Sequence, residues 1–180
     1  DYRVGIVGDY VWGDLYDDNE KINFMKHRYG HADYYRGDEE SFVTLNAWLD
    51  GEVPPSNTRP GTTYEEPPNV IIAHLSGLDS VGHRYAVKDS EEYAEKLRWL
   101  DEHFGTIFEK VPESWTVLVT ADHGLTDSGQ HGSPDQEIRE VGAWIWGPNV
   151  KQNYYYPEQI DQLDLATLPS LFASVFRNSS

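Results

Sequence analysis

The chain has 180 residues, with 14 Lys and Arg against 31 Asp and Glu, and a formal net charge of -17 at pH 7. This length fits one domain, and we expect a single domain over residues 1–180. The acidic excess excludes a general nucleic-acid grip, which needs a basic surface. Since Cys is absent, disulfides and thiolate metal sites are excluded, and any metal must be bound by His and carboxylate.

The sequence shows no targeting or membrane segment. It has no run of about 18 apolar residues that would predict a transmembrane helix. Neither an initiator Met nor a signal region precedes the strand-like residues 3–8, so we expect a piece of a longer chain. The localisation stays unknown, because the parent chain could be secreted or membrane-attached.

The first elements in chain order are a strand and a short helix. Residues 3–8 are strand-like, and residues 40–49 predict a short helix. A Pro-rich loop over residues 53–68 then interrupts any regular element. After it, residues 70–75 form a short β-branched run of the kind found in a buried parallel strand.

The later elements give clearer signals. Apolar residues at three- and four-residue spacing predict a helix over about residues 90–111. Residues 115–121 and 141–146 predict strands. A helix is predicted over residues 157–176, interrupted at Pro169.

This order of elements predicts an α/β fold with a largely parallel sheet sandwiched by helices. We expect the strands at residues 70–75 and 115–121 to be neighbours in one parallel sheet. The intervening helix would supply a right-handed crossover.

Five residues with metal-binding side chains follow the ends of these two strands. Asp79 and His83 come after the first strand, and Asp122 and His123 come directly after the second, with His131 a few residues on. Ligands in open α/β sheets gather beyond the carboxyl ends of the strands. Carboxylate oxygen and imidazole nitrogen suit Zn²⁺, with Mn²⁺ as the alternative. We therefore expect the five to bind metal.

The other histidines carry no such pattern. His74 lies within a strand and His103 on a helix, where a packed or surface role is expected. His27 and His31 have helical spacing but no companion carboxylates.

The ordered motifs resemble a known family. Residues 79–83 read Asp-Ser-Val-Gly-His, residues 122–124 read Asp-His-Gly, and residues 131–132 read His-Gly. This order resembles the type I phosphodiesterase and nucleotide pyrophosphatase branch of the alkaline phosphatase superfamily. Residues 74–83 and 120–132 are similar to the catalytic domain of GPI ethanolamine phosphate transferases, and Gly-Asp-Tyr-Val-Trp at residues 8–12 resembles a further segment of those enzymes.

The resemblance implies two divalent ions. One would be held by Asp79, His83 and His131, and the other by Asp122 and His123 with an Asp and a Thr nucleophile that precede Asp1. It further implies a covalent phospho-Thr intermediate, which water or an alcohol acceptor attacks. The expected function is therefore hydrolysis of a phosphoester substrate or transfer of a phosphoryl or phosphoethanolamine-type group. The remainder of the catalytic domain would lie upstream, so we expect the isolated segment to be inactive.

Four further residues could take part in the site. Thr58 begins a Thr-Arg-Pro-Gly stretch that resembles the sequence after the nucleophile in some relatives, but it follows the segment at residues 8–12 and so has the wrong order. Asp127 and Gln130, with Ser128 between them, lie near the ligands in sequence and could orient them without binding the metal themselves. Capping of the loop accounts for these residues equally well.

Other functions share these features. A non-catalytic metal-binding fragment or degenerate homologue would keep the ligands without the nucleophile. Among enzymes, sulfatases and cofactor-independent phosphoglycerate mutases have similar sets of metal ligands.

Overall fold

A computed structural model of the chain describes residues 2–16, 22–28, 33–53, 65–165 and 167. They belong to two compact units, Asp1–Pro148 and Asn149–Ser180. The expectation of one domain over residues 1–180 stays a prediction.

The first unit contains a three-stranded parallel sheet. Its strands are β1 (Val4–Asp9), β2 (Ile22–Arg28) and β3 (Val70–His74), in the order β2-β1-β3. The central strand β1 buries Ile6 and Val7, as expected for a parallel strand covered on both faces. β1 and β3 confirm the predicted strands, but β3 contains no buried residue and Ile72 is 42% exposed, so the expectation of a buried strand there is wrong. The sequence does not predict β2, because only Ile22, Phe24 and Met25 of its seven residues are apolar and its last three residues are polar or basic.

Four of the described helices of this unit accompany the parallel sheet. They are α1 (Val11–Tyr16), α2 (Arg36–Leu49), α3 (Gly77–Tyr85) and α4 (Glu91–Lys110). α4 confirms the helix predicted from apolar spacing, and the Ser90 side chain caps it by accepting a hydrogen bond from the Tyr93 backbone N–H at 3.2 Å. α2 begins one turn before its predicted start.

The core joins the sheet to the two long helices. Its fully packed members are mutually contacting apolar side chains from β1, β2, α2 and α4: Val7, Phe24, Phe42, Leu45, Trp48, Leu100 and Ile107. Burying each large side chain contributes roughly 1.5–3 kcal/mol. This parallel sheet flanked by helices confirms the α/β fold class.

The strand predicted over residues 115–121 has a different partner from the one expected. It forms β4 (Val117–Thr120), which pairs antiparallel with β5 (Ala143–Trp146) in a separate two-stranded sheet, while β3 pairs with β1. The prediction that these strands are neighbours in one parallel sheet is therefore wrong. Partner choice depends on pairing between segments distant in sequence, which no local pattern in either strand reveals. A short helix, α5 (Gln136–Arg139), lies between β4 and β5 in the chain.

The second unit contains one short described helix, α6 (Gln162–Leu165). The helix predicted from residue 157 thus begins five residues later, and residues 168–176 lie outside the described part of the chain. Within the described residues, no helix has both the length and the apolar character needed to cross a membrane.

Candidate metal centre

Asp79 and His83 lie on one face of α3, just beyond the carboxyl edge of the parallel sheet. Their spacing of four residues places the side chains one turn apart. The Asp79 Oδ1 atom is 3.4 Å from His83 Nε2. β3 ends at His74 and α3 begins at Gly77, so the short connection fixes both side chains at this edge.

The loop after β4 folds back against α3 and brings His131 to the same place. Gly129 has a φ of +76°, and a Cβ atom there would lie 1.9 Å from the Gly82 carbonyl oxygen. Only glycine allows this conformation and this close approach of the loop to α3. The Thr126 backbone N–H donates to the Gln130 carbonyl at 2.9 Å and closes the loop. His131 Nε2 consequently lies 3.7 Å from Asp79 Oδ1.

Asp79, His83 and His131 together form what we call the first ligand set. One potential ligand atom from each lies within 4.8 Å of the other two. Asp79 Oδ1 is buried and accepts no hydrogen bond from the described part of the chain. A buried carboxylate oxygen without a donor is costly unless a cation compensates it. The three residues that the resemblance assigns to one ion therefore lie together, and the donor set fits a divalent metal ion, while their role as ligands stays a prediction.

Asp122 and His123, the second ligand set, lie directly after β4. Asp122 Oδ2 is 3.6 Å from His123 Nε2. The His123 ring stacks on the His131 ring with a centroid distance of 4.0 Å, so the two ligand sets are adjacent. His123 Nδ1 lies 3.1 Å from the Gly124 carbonyl oxygen. A neutral His123 that donates Nδ1–H there presents the lone pair of Nε2, as metal-binding histidines do.

His74 also belongs to this region, although its position within a strand predicts a packed or surface histidine. Its Nε2 atom lies 3.8 Å from Asp122 Oδ2, which is an ion-pair distance rather than a hydrogen bond. The nearby His74 lowers the pKa of Asp122 to about 2, and Asp122 raises the pKa of His74 above its usual value. The available signal was its place as the last residue of β3, at the edge where ligands gather.

Asp9 ends the central strand β1 at the same edge. Its Oδ2 atom accepts a hydrogen bond of 2.8 Å from the Ser76 hydroxyl, and its Oδ1 atom accepts one of 3.1 Å from the Val11 backbone N–H. The segment at residues 8–12 therefore contacts the β3–α3 connection that precedes the first ligand set.

The remaining predicted residues have mixed outcomes. The Asp127 carboxylate pairs with Lys88 Nζ at 3.0 Å, and Gln130 closes the loop through its backbone, so their roles in orienting the ligands stay predictions. Packing of His103 is confirmed, because its ring lies 3.8 Å from that of Trp99. Thr58, His31 and the side chain of His27 lie outside what the structure describes.

An open groove of about 420 Å³ borders the first ligand set, and it is lined by Tyr34, Asp79, Ser80, His83 and Arg84. Arg84 is exposed. Among the described residues it makes no ion pair, whereas six other cationic side chains each pair with a carboxylate, namely Arg3, Arg36, Lys88, Lys96, Arg98 and Lys110. The groove therefore presents a guanidinium group without an ion-pair partner beside the candidate metal ligands.

Comparison with known proteins gives related enzymes. The chain is 25% identical over 166 residues to mouse GPI ethanolamine phosphate transferase 3, catalytic subunit, which covers 92% of this chain and 14% of the mouse protein. It is 25% identical over 179 residues to GPI ethanolamine phosphate transferase 3 of Schizosaccharomyces pombe, covering 95% of this chain and 18% of that protein. GPI ethanolamine phosphate transferase 1 of the same yeast is 31% identical over 127 residues, covering 56% of this chain and 13% of that protein. The chain thus spans less than a fifth of the length of these relatives.

The family match extends across both described sheets and all five predicted ligands. Residues 5–155 match the family described as type I phosphodiesterase / nucleotide pyrophosphatase, which agrees with the resemblance carried by the ligand motifs and with the α/β fold. The chain belongs to this family, within the alkaline phosphatase superfamily.

Proposed function

We propose that this chain is the carboxyl-terminal part of a catalytic domain that cleaves phosphoric esters or transfers a phosphoryl or phosphoethanolamine-type group with the help of two divalent ions. The family membership and the names of the relatives support phosphoester chemistry. Ethanolamine phosphate transfer is the activity named for those relatives, and it comes to this chain as part of the proposal.

The observation that carries the proposal is the environment of Asp79 Oδ1. This buried oxygen accepts no hydrogen bond from the described residues and lies within 3.7 Å of His83 Nε2 and His131 Nε2. If a cation lies between them, it binds the lone pairs of the two neutral imidazole nitrogens and of the carboxylate oxygen. None of the three atoms then needs a proton. A packed structural cluster would instead satisfy the carboxylate with a hydrogen-bond donor.

The two ligand sets have different parts in the proposal. The first set would hold one ion by itself. The second would hold the other ion together with an Asp and the Thr nucleophile, which the family resemblance places before Asp1. Zn²⁺ fits this mixture of His and carboxylate, and Mn²⁺ is the alternative. Two such ions supply charge stabilisation to the attacking and leaving oxygens of an in-line displacement.

The side chains around the ligands would bind and orient the reacting groups. His74 holds the Asp122 carboxylate in place through their ion pair, which fixes the direction of its oxygens. Arg84 projects from α3 in the groove beside Asp79 and His83. Its guanidinium suits the anionic oxygens of a phosphoester, to which it can donate two parallel hydrogen bonds.

Metal content after dialysis tests the proposal directly. We expect the purified chain to retain one divalent ion tightly and to bind a second weakly, because three ligands are assembled in one set and two in the other. Elemental analysis followed by calorimetric titration with Zn²⁺ measures both. Folded protein that retains no Zn or Mn above background, and binds none on titration, would contradict the proposed metal centre.

Activity on an aryl phosphodiester tests the chemistry. We expect negligible turnover by residues 1–180 alone and restored turnover when the preceding segment of the parent chain is joined to them. Full activity of the 180 residues, abolished by Thr58→Ala, would instead assign the nucleophile to Thr58. A metal-loaded longer chain without any phosphoester cleavage or transfer would support a non-catalytic homologue.

A further inference from the structure

A buried ion pair joins α2 to α4 next to the candidate metal centre. Lys96 Nζ lies 2.7 Å from Asp38 Oδ2, and the two side chains are 0% and 4% exposed. The ammonium group also lies 4.0 Å from the ring centroid of Trp99 and 4.5 Å from that of Tyr35. Burial lowers the pKa of Lys96, and Asp38 opposes that shift. Apolar replacements of such pairs are often neutral or stabilising, so stability alone is a weak reason for the pair.

The second oxygen of Asp38 contacts the beginning of α3. Asp38 Oδ1 accepts a buried hydrogen bond of 3.2 Å from the backbone N–H of Gly77, the first residue of that helix. The residue in the N-cap position, Ser76, does not cap the helix, because its hydroxyl donates to Asp9 instead. Asp38 thus takes over, from another helix, a part of the capping that a local side chain usually supplies.

Glycine at position 77 makes this contact feasible. A Cβ atom there would lie 2.3 Å from Asp38 Oδ2 and 2.2 Å from the Tyr34 carbonyl oxygen. Any larger residue would push α3 or the carboxylate away. The start of α3 is therefore held by a charged carboxylate whose own position is fixed by Lys96.

The geometry points to Asp38 and Lys96 as positioning residues for the first ligand set. Asp79 and His83 follow Gly77 by two and six residues on the same helix, so a shift in the start of α3 moves two of the three ligands together. Outer contacts that orient metal ligands typically contribute about 10–100-fold to metal affinity. The metal readout of this inference rests on the proposed function, whereas the contact with α3 does not.

A matched pair of double variants separates capping from charge. Asp38→Asn with Lys96→Met removes both charges but keeps an amide oxygen that can accept from Gly77. Asp38→Leu with Lys96→Met removes the same charges and the acceptor. Each variant leaves about one buried polar group unsatisfied. Their stabilities, measured by urea unfolding, should therefore be similar.

Zn²⁺ affinity, measured by competition with a chromophoric chelator, distinguishes them. We expect the Leu variant to bind Zn²⁺ about tenfold more weakly than the Asn variant at the tight site. If the wild-type chain binds Zn²⁺, equal affinities in two folded variants overturn the inference. If neither double variant folds, Gly77→Ala takes their place, with the expected loss again about tenfold. Gly105→Ala is its control, because a Cβ atom at that helical position meets nothing within 4 Å. Equal Zn²⁺ affinity for these two variants also overturns the inference.

Hydrogen exchange on the metal-free protein separates this inference from the proposed function. We expect the amides of α3 to exchange faster in the Leu variant than in the Asn variant, with α4 unchanged between them. If the wild-type chain binds no metal but α3 shows this order, the proposed function fails and the role of Asp38 in positioning α3 stands. Unchanged exchange in α3 overturns the inference whatever the metal affinity.

Discussion

The two ligand sets differ in how completely the chain has prepared them for a cation. In the first set, Asp79 is 36% exposed in its side chain and its Oδ1 atom is buried without a donor. In the second, the Asp122 side chain is 65% exposed, its Oδ1 atom accepts a hydrogen bond of 3.0 Å from the His123 backbone N–H, and its Oδ2 atom faces His74, which is not a proposed ligand. The first set thus lacks only a cation, whereas a cation at the second must displace or share existing partners. The difference predicts a tight site and a weak one in the same chain.

The largest effect should follow removal of a ligand from the first set. Asp79→Asn keeps the shape of the side chain but removes its charge, and we expect Zn²⁺ affinity at the tight site to fall by about 100-fold or more, beyond the usual effect of an outer contact. His83→Ala should do the same. Isothermal titration of folded variants measures the loss.

The control for this prediction is His103→Ala. His103 packs against Trp99 and Phe42, away from the proposed ligands, so its loss should lower the stability while Zn²⁺ affinity changes by less than about twofold. A comparable loss of affinity in this variant would show that folding, rather than ligation, determines the result.

A smaller effect is expected from the second set. Asp122→Asn should weaken the second, weak binding event by about tenfold, because it removes the only carboxylate of that set. The tight site should change by less than about twofold, as for a residue that is not its ligand. Titration to two equivalents of Zn²⁺ resolves the two events. Loss of the tight ion in this variant would mean that the two sets share one ion.

The sequence predicted features within one segment of the chain better than features that join distant segments. Spacing of apolar residues predicted α4, because a helix repeats its pattern within one segment. The resemblance carried by the ligand motifs implied the first set, and its three side chains do lie together. The helical setting of Asp79 and His83 was not predictable, since glycines and polar residues weaken the periodicity of α3.

Features that join distant segments left little trace in the sequence. The antiparallel pairing of β4 with β5 depends on which strand edges meet in space. The contact between Asp38 and Lys96 spans two helices, and neither residue lies in a motif. His74 has no neighbouring carboxylate in sequence and gains one only because the ends of β3 and β4 converge. These contacts depend on the assembled fold rather than on local preference.

The pairing of His74 with Asp122 should make the stability of the metal-free protein depend on pH. The pKa of Asp122 is lowered to about 2 and that of His74 is raised. Both groups are then charged between these two values, so the contact stabilises the fold within that range. Its contribution is lost as the pH falls through about 2, and also as the pH rises through the raised pKa of His74.

An NMR titration of the histidine ring resonances measures the raised pKa of His74. In Asp122→Asn, the pKa of His74 should fall toward or below its ordinary value, because the opposing carboxylate is lost while the burial of the ring remains. An unchanged His74 pKa in the variant would contradict the ion pair.

The smallest effect concerns the groove beside the first ligand set. Arg84→Gln should weaken binding of inorganic phosphate to the Zn²⁺-loaded chain by about two- to fivefold, in keeping with the modest energy of an exposed charge pair. The effect should decrease as salt is added, since an exposed cation is readily screened.

Arg139→Gln is the matched control. Arg139 is also exposed and makes no ion pair among the described residues, but it is not among the residues lining the groove. Because both variants change the net charge equally, equal losses would assign the effect to the overall charge. A loss of phosphate affinity in Arg84→Gln alone would locate the anionic part of the substrate next to Asp79 and His83, beside the first ligand set.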